Sequence, residues 1–272
     1  KVLGGGCYLQ GGGSIDVTGT STITISGGMV VGSVFGGNFA NKLDYATEDV
    51  SLWNGDTNIT INATESVVIG GNVVAGSYGK GMVSGSSTLT FTGSGDNLKI
   101  AGHITGDSSN GDDSDGGRRV TDTRTLVFDG FSGNLGTAIK KVTGFDAVSL
   151  DSSTVTLAGY GMLKSVSDWS ITDSTLDWSK GANDFSNDKL TLVSTNEIGT
   201  DGWTVFQLGD GLTTGWNAMT LDKSGTAKVS LTVAGVEHTL VGVKDAETVV
   251  YYADADYKFY KDDNALKVAK LA

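Results

Sequence analysis

The stretch Ile23-Thr24-Ile25-Ser26-Gly27-Gly28-Met29-Val30-Val31-Gly32-Ser33-Val34-Phe35-Gly36-Gly37 recurs along the chain, and its recurrence narrows the fold more than any other feature. An alternating strand runs into a double glycine, then a short valine-rich strand, then a second double glycine. Ile59-Thr60-Ile61 leads through Val67-Val68-Ile69 to Gly70-Gly71-Asn72-Val73-Val74. Leu89-Thr90-Phe91 leads to Leu98-Lys99-Ile100-Ala101-Gly102, and Leu126-Val127-Phe128 to Phe131-Ser132-Gly133. The equivalent starts Ile23, Ile59, Leu89 and Leu126 are 36, 30 and 37 residues apart. A repeat whose length varies only in its inserts is the signature of stacked supersecondary units.

Strands of four to six residues separated by one or two glycines suit a chain that bends at a corner and continues. The reading is an all-β fold, a right-handed parallel β-helix (β-solenoid) in which each coil pairs with the one before it. Inward Ile, Val, Leu and Phe form the core, and outward Thr and Ser meet water. Composition agrees. Glycine is abundant (41 residues) and serves corners that need positive φ or close backbone approach. Proline is absent, as expected where nearly every backbone N–H is needed for pairing. A hydrophobic content of 38% with regular alternation argues against disorder.

The β-helix is expected over residues 1–185, with inserts near 41–57 and 107–124. From about residue 186 glycine doublets vanish and lysine rises. Met219 to Leu221 with Lys228 to Val233 across Asp222-Lys223-Ser224-Gly225, Lys228 to Val233 with Val236 to Leu240, and Tyr257 to Tyr260 with Ala265 to Ala269, read as hairpins. Residues 186–272 are therefore expected to form a C-terminal antiparallel β-hairpin cap that covers the last coil's edge. A β-sandwich is the structural alternative.

Phe128-Asp129-Gly130-Phe131-Ser132-Gly133-Asn134-Leu135, Gly144-Phe145-Asp146-Ala147-Val148-Ser149-Leu150 and Ser153-Thr154-Val155-Thr156-Leu157 resemble the repeats of bacterial autotransporter passenger domains. The likeness covers residues 10–180 in texture rather than through an invariant motif. It implies a secreted right-handed parallel β-helix displayed on a bacterial surface, adhesive or structural in role. No translocating barrel follows residue 272, which departs from that pattern.

Signals for chemistry are sparse. His103 and His238 are the only histidines and fall in different expected modules. No Gly-x-Ser-x-Gly elbow, HExxH, paired-cysteine spacing or Walker loop occurs, so no catalytic residue is assigned. A polysaccharide lyase or glycoside hydrolase is the enzymatic alternative, by fold analogy. Asp146 with Asp151, or Asp168 with Asp173, would supply its carboxylates; solvated turn aspartates are the simpler reading. Asp107, Asp112, Asp113 and Asp115, with Asn110, place several oxygen ligands in one insert and suit calcium. Arg118, Arg119 and Arg124 are competing partners for the same carboxylates. Among the tryptophans Trp53, Trp169, Trp178, Trp203 and Trp216, Trp53 is expected to be the exposed face for a sugar ligand.

The formal net charge of -12 disfavours nucleic acid and anionic membrane as partners. No apolar run reaches membrane-span length, and Lys1-Val2-Leu3-Gly4-Gly5-Gly6 lacks the core of a signal peptide. A single cysteine, Cys7, permits no internal disulfide and reads as a small apolar residue of the first coil. The expected partners are a second copy, through an open coil edge at Lys1–Gln10, or a host-cell or glycan ligand. The expected location is secreted or on a bacterial cell surface.

Overall fold

The computed structural model describes residues 1–4, 16–38, 52–78, 81–107, 120–135, 142–157, 163, 166–178, 189–208, 229–244, 249–254 and 256–272. Their regular secondary structure is strand, apart from one 3-10 turn, Gly95–Asn97, capped by the Ser94 side chain. Among them no helix is long and apolar enough to cross a membrane. The chain divides into two compact units, Lys1–Ala147 and Val148–Ala272.

In the first unit every paired strand meets its counterpart one repeat later, in parallel. One sheet runs Val2–Leu3, Val34–Phe35, Val73–Val74, Ile104–Thr105, Val142–Thr143. A second runs Asp16–Thr18, Leu52–Asn54, Met82–Val83, and a bridge from Val83 to Val120 extends it. A third runs Ser21–Ile25, Thr57–Ala63, Ser87–Ser94, Arg124–Asn134. The fourth runs Gly28–Val30, Val67–Ile69, Leu98–Ile100.

The register explains why these residues recur. Ile23, Ile59, Leu89 and Leu126 are direct cross-strand partners, so the starts aligned by the sequence repeat form one row. Ile25, Ile61, Phe91 and Phe128 form the next. All eight are buried. The Phe91 and Phe128 rings stack with centroids 5.8 Å apart, and Phe131 packs edge-on to Phe91 at 6.1 Å. Each such side chain contributes about 1.5–3 kcal/mol of burial. The alternating Thr and Asn residues between them point outward. At one interior position the row turns polar: Ser21, Thr57, Ser87, Arg124.

The corners are tight for a reason only the stacking reveals. Gly28 has φ +82°, where glycine is the comfortable residue. At Gly102 the constraint is the backbone of the preceding repeat instead. A Cβ there would lie 2.6 Å from the Gly71 carbonyl carbon and oxygen. Polar side chains tie the same corner together: Ser33 Oγ accepts the Asn72 N–H at 3.0 Å, and Asn72 Oδ1 accepts the His103 N–H at 2.9 Å.

The second unit holds two further parallel ladders. Thr154–Thr156, Thr175–Trp178 and Trp203–Leu208 form one. Asp168–Thr172, Lys189–Ser194 and Val229–Val233 form the other. Thr154 pairs with Thr175 and Asp168 with Lys189, a repeat of 21 residues, shorter than in the first unit. Trp169, Ile171, Leu176, Leu190, Leu192 and Leu231 are buried along these rows. Parallel pairing thus runs past residue 186, the expected start of the cap, and antiparallel pairing begins with Val229–Val233 against Val236–His238. Leu240–Lys244, Val249–Ala253, Tyr257–Asp262 and Ala265–Lys270 then form an antiparallel meander, whose last strand pairs with Trp203–Leu208.

Candidate functional site

Among the described residues of the first unit, Arg124, Asp107 and Asp146 form an ion cluster. Arg124 occupies the interior polar row, where the preceding strands carry Ser21, Thr57 and Ser87, and its side chain is 11% exposed. Its Nη1 donates to Asp107 Oδ2 at 2.7 Å, its Nη2 to Asp146 Oδ1 at 2.7 Å, and its Nε to Asp146 Oδ2 at 3.0 Å. Asp107 Oδ1 also accepts the Val120 N–H at 3.1 Å. Burial works against the guanidinium's charge, but the hydrogen bonds and field of Asp146 and Asp107 outweigh it and hold Arg124 above its ordinary range. The fork geometry is one that Arg supplies and Lys does not.

Both oxygens of Asp107 thus accept from protein donors, the Arg124 guanidinium and the Val120 N–H. Asp112, Asp113 and Asp115, with Arg118 and Arg119, lie outside the described residues, as do Cys7, Trp216 and Met219-Thr220-Leu221. Among the described residues no group of three or more His, Cys, Asp or Glu side chains is placed to hold a metal ion.

Trp53 is not the exposed face expected of it. It is 5% exposed, packed with Val83 and Val120 in the row that begins at Val17. Its Nε1–H donates to the Asp56 carbonyl at 3.2 Å. Leu52–Asn54 is a strand, and the central position of a short strand turned inward buries its side chain whatever its polar surroundings in sequence.

The other candidates are dispersed. His103 and His238 belong to different units. His238 is buried edge-on to the Tyr257 ring, centroids 4.9 Å apart, with its Nδ1 3.5 Å from Asp254 Oδ2. Asp146 is committed to Arg124, Asp151 Oδ1 accepts the Ser152 hydroxyl at 3.0 Å, and Asp168 faces Lys189 at 3.4 Å on an exposed surface. Asp173 accepts from the Thr195 N–H at 3.1 Å and from the Thr195 hydroxyl.

Asp173 nonetheless opens onto the site of greatest interest, a groove of about 630 Å³ within the second unit. Its walls are corners of successive rungs. Ser152 and Asp173 stand 21 residues apart at equivalent turn positions, both with positive φ (48° and 43°). The next rung contributes Asn196 and Glu197, and the far wall is Trp203 with Thr204. Trp203 is half-buried and fixed, because its Nε1–H donates to the Ser174 carbonyl at 2.9 Å. Glu197 accepts the Tyr257 hydroxyl at 3.0 Å, and Lys270 Nζ lies 3.8 Å away. Burial first, and then that hydrogen bond, hold the Tyr257 phenol above its usual range. The groove therefore combines hydroxyls, an amide, two anchored carboxylates and an indole held in place. Sequence reading named Trp203 and Asp173 but had no signal that would bring them together, since 30 residues separate them.

No family model, curated protein or solved structure matches this chain.

Proposed function

We propose that this chain is a right-handed parallel β-solenoid acting without catalysis as an adhesin or structural scaffold on the surface of a bacterium. One observation carries the reading: four successive repeats align Ile23, Ile59, Leu89 and Leu126 in a single parallel row. A coil that stacks in register on the coil before it gives a framework that lengthens by repetition and leaves its corners free to vary. The net charge of -12 suits a self-repelling surface protein, and the likeness to autotransporter passenger repeats points the same way.

The experiment has two arms. Antibody against the chain is applied to intact and permeabilised cells of the organism that makes it, and purified protein is incubated with a broad polysaccharide panel. Labelling of intact cells without release of reducing ends or unsaturated products supports the reading. Labelling confined to permeabilised cells overturns the location. Turnover overturns the non-enzymatic role in favour of a polysaccharide-degrading enzyme, the alternative that Asp173 and Glu197 support by lining one groove.

A further inference from the structure

We infer that the groove between Asp173, Asn196, Glu197 and Trp203 is a binding site for a neutral hexose-based glycan. The inference deepens the adhesin reading and rests on it only in that the bound sugar is held rather than cleaved.

Three features of the groove point to that ligand class. Its size, about 630 Å³, lies within the range of small-ligand pockets, and its lining is mainly polar. A saccharide ring has one apolar C–H face and a rim of hydroxyls. Trp203 offers an apolar face whose orientation is fixed by the bond to Ser174, so little freedom remains to be lost on stacking. Around it stand the Asn196 amide and the Ser152 hydroxyl, which both donate and accept, and the Asp173 and Glu197 carboxylates, which accept. The carboxylates are held by Thr195 and Tyr257, yet an ionised carboxylate has about four acceptor sites, so each retains capacity for a sugar hydroxyl. The walls also repeat along the stacking direction. Thr154 pairs with Thr175 and Thr172 with Val193, which sets Ser152, Asp173 and Ser194 on adjacent rungs. Rungs are about 4.8 Å apart, comparable with a hexose ring.

Charge selects within the class. Two carboxylates line the groove and the chain carries a net charge of -12, so uronate or sulfated glycans meet repulsion on approach and at the site. A neutral chain does not.

The test uses the whole chain. Tryptophan fluorescence and titration calorimetry follow addition of neutral hexaoses built on glucose, mannose or galactose, with oligogalacturonate of the same length as the charged comparison. At least one neutral hexaose is expected to bind saturably, and the galacturonate at least about tenfold more weakly. Trp203→Ala lowers the affinity about tenfold or more, and Asn196→Ala and Glu197→Gln each lower it several-fold. Asn196 and Glu197 are exposed, so their variants keep the test decisive if Trp203→Ala does not fold. Absence of saturable binding by every neutral hexaose overturns the proposal, as does binding that the two exposed variants leave unchanged. Tighter binding of galacturonate overturns the assignment to neutral glycans. Release of reducing ends from a bound hexaose refutes the non-enzymatic role and leaves the site standing, so the two readings fail separately.

Discussion

Replacing Gly102 by alanine tests the stacking of successive repeats at a single atom. The added Cβ would lie 2.6 Å from the backbone carbonyl carbon and oxygen of Gly71 in the preceding repeat. Backbone cannot swing aside as a side chain tip can, so the corner must open. Opening it strains two hydrogen bonds between successive repeats, Gly102 N–H to Gly71 O at 3.1 Å and His103 N–H to Asn72 Oδ1 at 2.9 Å. Overpacking of this kind costs about 1–3 kcal/mol. Alanine returns only about 0.4–1 kcal/mol by restricting the unfolded chain. Gly102→Ala should therefore lose roughly 1–2 kcal/mol. Gly27 is the matched control. It stands at a corner of the same unit, but its Cβ would meet nothing closer than the flexible Glu65 Oε2 at 3.4 Å. Gly27→Ala should gain about 0.4–1 kcal/mol. Urea unfolding followed by far-ultraviolet circular dichroism gives both values, and hydrogen exchange across Ala101 to Gly106 gives a local readout. If Gly102→Ala proved as stable as Gly27→Ala, close approach would not be what selects glycine at this corner.

Arg124→Met leaves Asp107 and Asp146 without their guanidinium. Removing one partner of a buried pair costs about 3–5 kcal/mol, and the partial exposure of the carboxylates (14% and 24%) reduces this to roughly 2–4 kcal/mol, read by urea unfolding. Asp107→Asn should destabilise by the same amount in calcium and in chelator, and a calcium-dependent difference would show that Asp107 serves a metal as well as Arg124. Tyr257→Phe removes the bond to exposed Glu197 and should cost about 1 kcal/mol. Because the folded phenol is raised, its contribution is complete below the unfolded value of about 10 and disappears as pH rises through the folded value. The variant's stability should accordingly lack that alkaline decline. Val31→Asp tests self-association through the apolar side chains Met29 and Val31, which are 70% and 82% exposed. Sedimentation velocity over a concentration series should show reversible association of the parent chain, weakened in the variant; a single species throughout removes the end-to-end reading.

What sequence reading captured and what it missed divide along a physical line. Cross-strand rows demand like residues at like positions, so the partners Ile23, Ile59, Leu89 and Leu126 could be aligned by eye, inserts notwithstanding. Hairpins also declare themselves locally: Tyr257–Asp262 pairs with Ala265–Lys270 across a two-residue turn. Trp53 misled because polar neighbours say nothing about which way the middle residue of a three-residue strand points. Arg124 carried no positional cue at all, since the row it joins is small and polar in the repeats before it. The later repeat of 21 residues was masked by its own regularity, because short strands at such spacing also suit a sandwich.

The groove was illegible for a deeper reason, which also explains why a site should be found there. A row position is constrained by two neighbours, above and below, and each must accept its side chain, so rows conserve character and leave little room for specificity. A corner position meets its neighbours mainly through backbone. Ser152 and Asp173 are register equivalents with left-handed backbones, yet one carries a hydroxyl and the other a carboxylate, because the turn fixes φ and leaves the side chain open. The third rung then breaks the pattern: Ser194-Thr195-Asn196-Glu197-Ile198 lengthens the corner, and Trp203 closes the space so created from the next strand. A recess appears where the repeat fails, and alignment of repeats is blind at that point by construction. The prediction is a contrast between the two kinds of position. Ser152→Ala should leave stability within about 0.5 kcal/mol, as surface substitutions do, while weakening any saccharide bound in the groove. Leu192→Ala, on the adjoining row between Ile171 and Leu231, should cost about 2–5 kcal/mol. A folded Ser152→Ala that binds as the parent does would detach that corner from recognition.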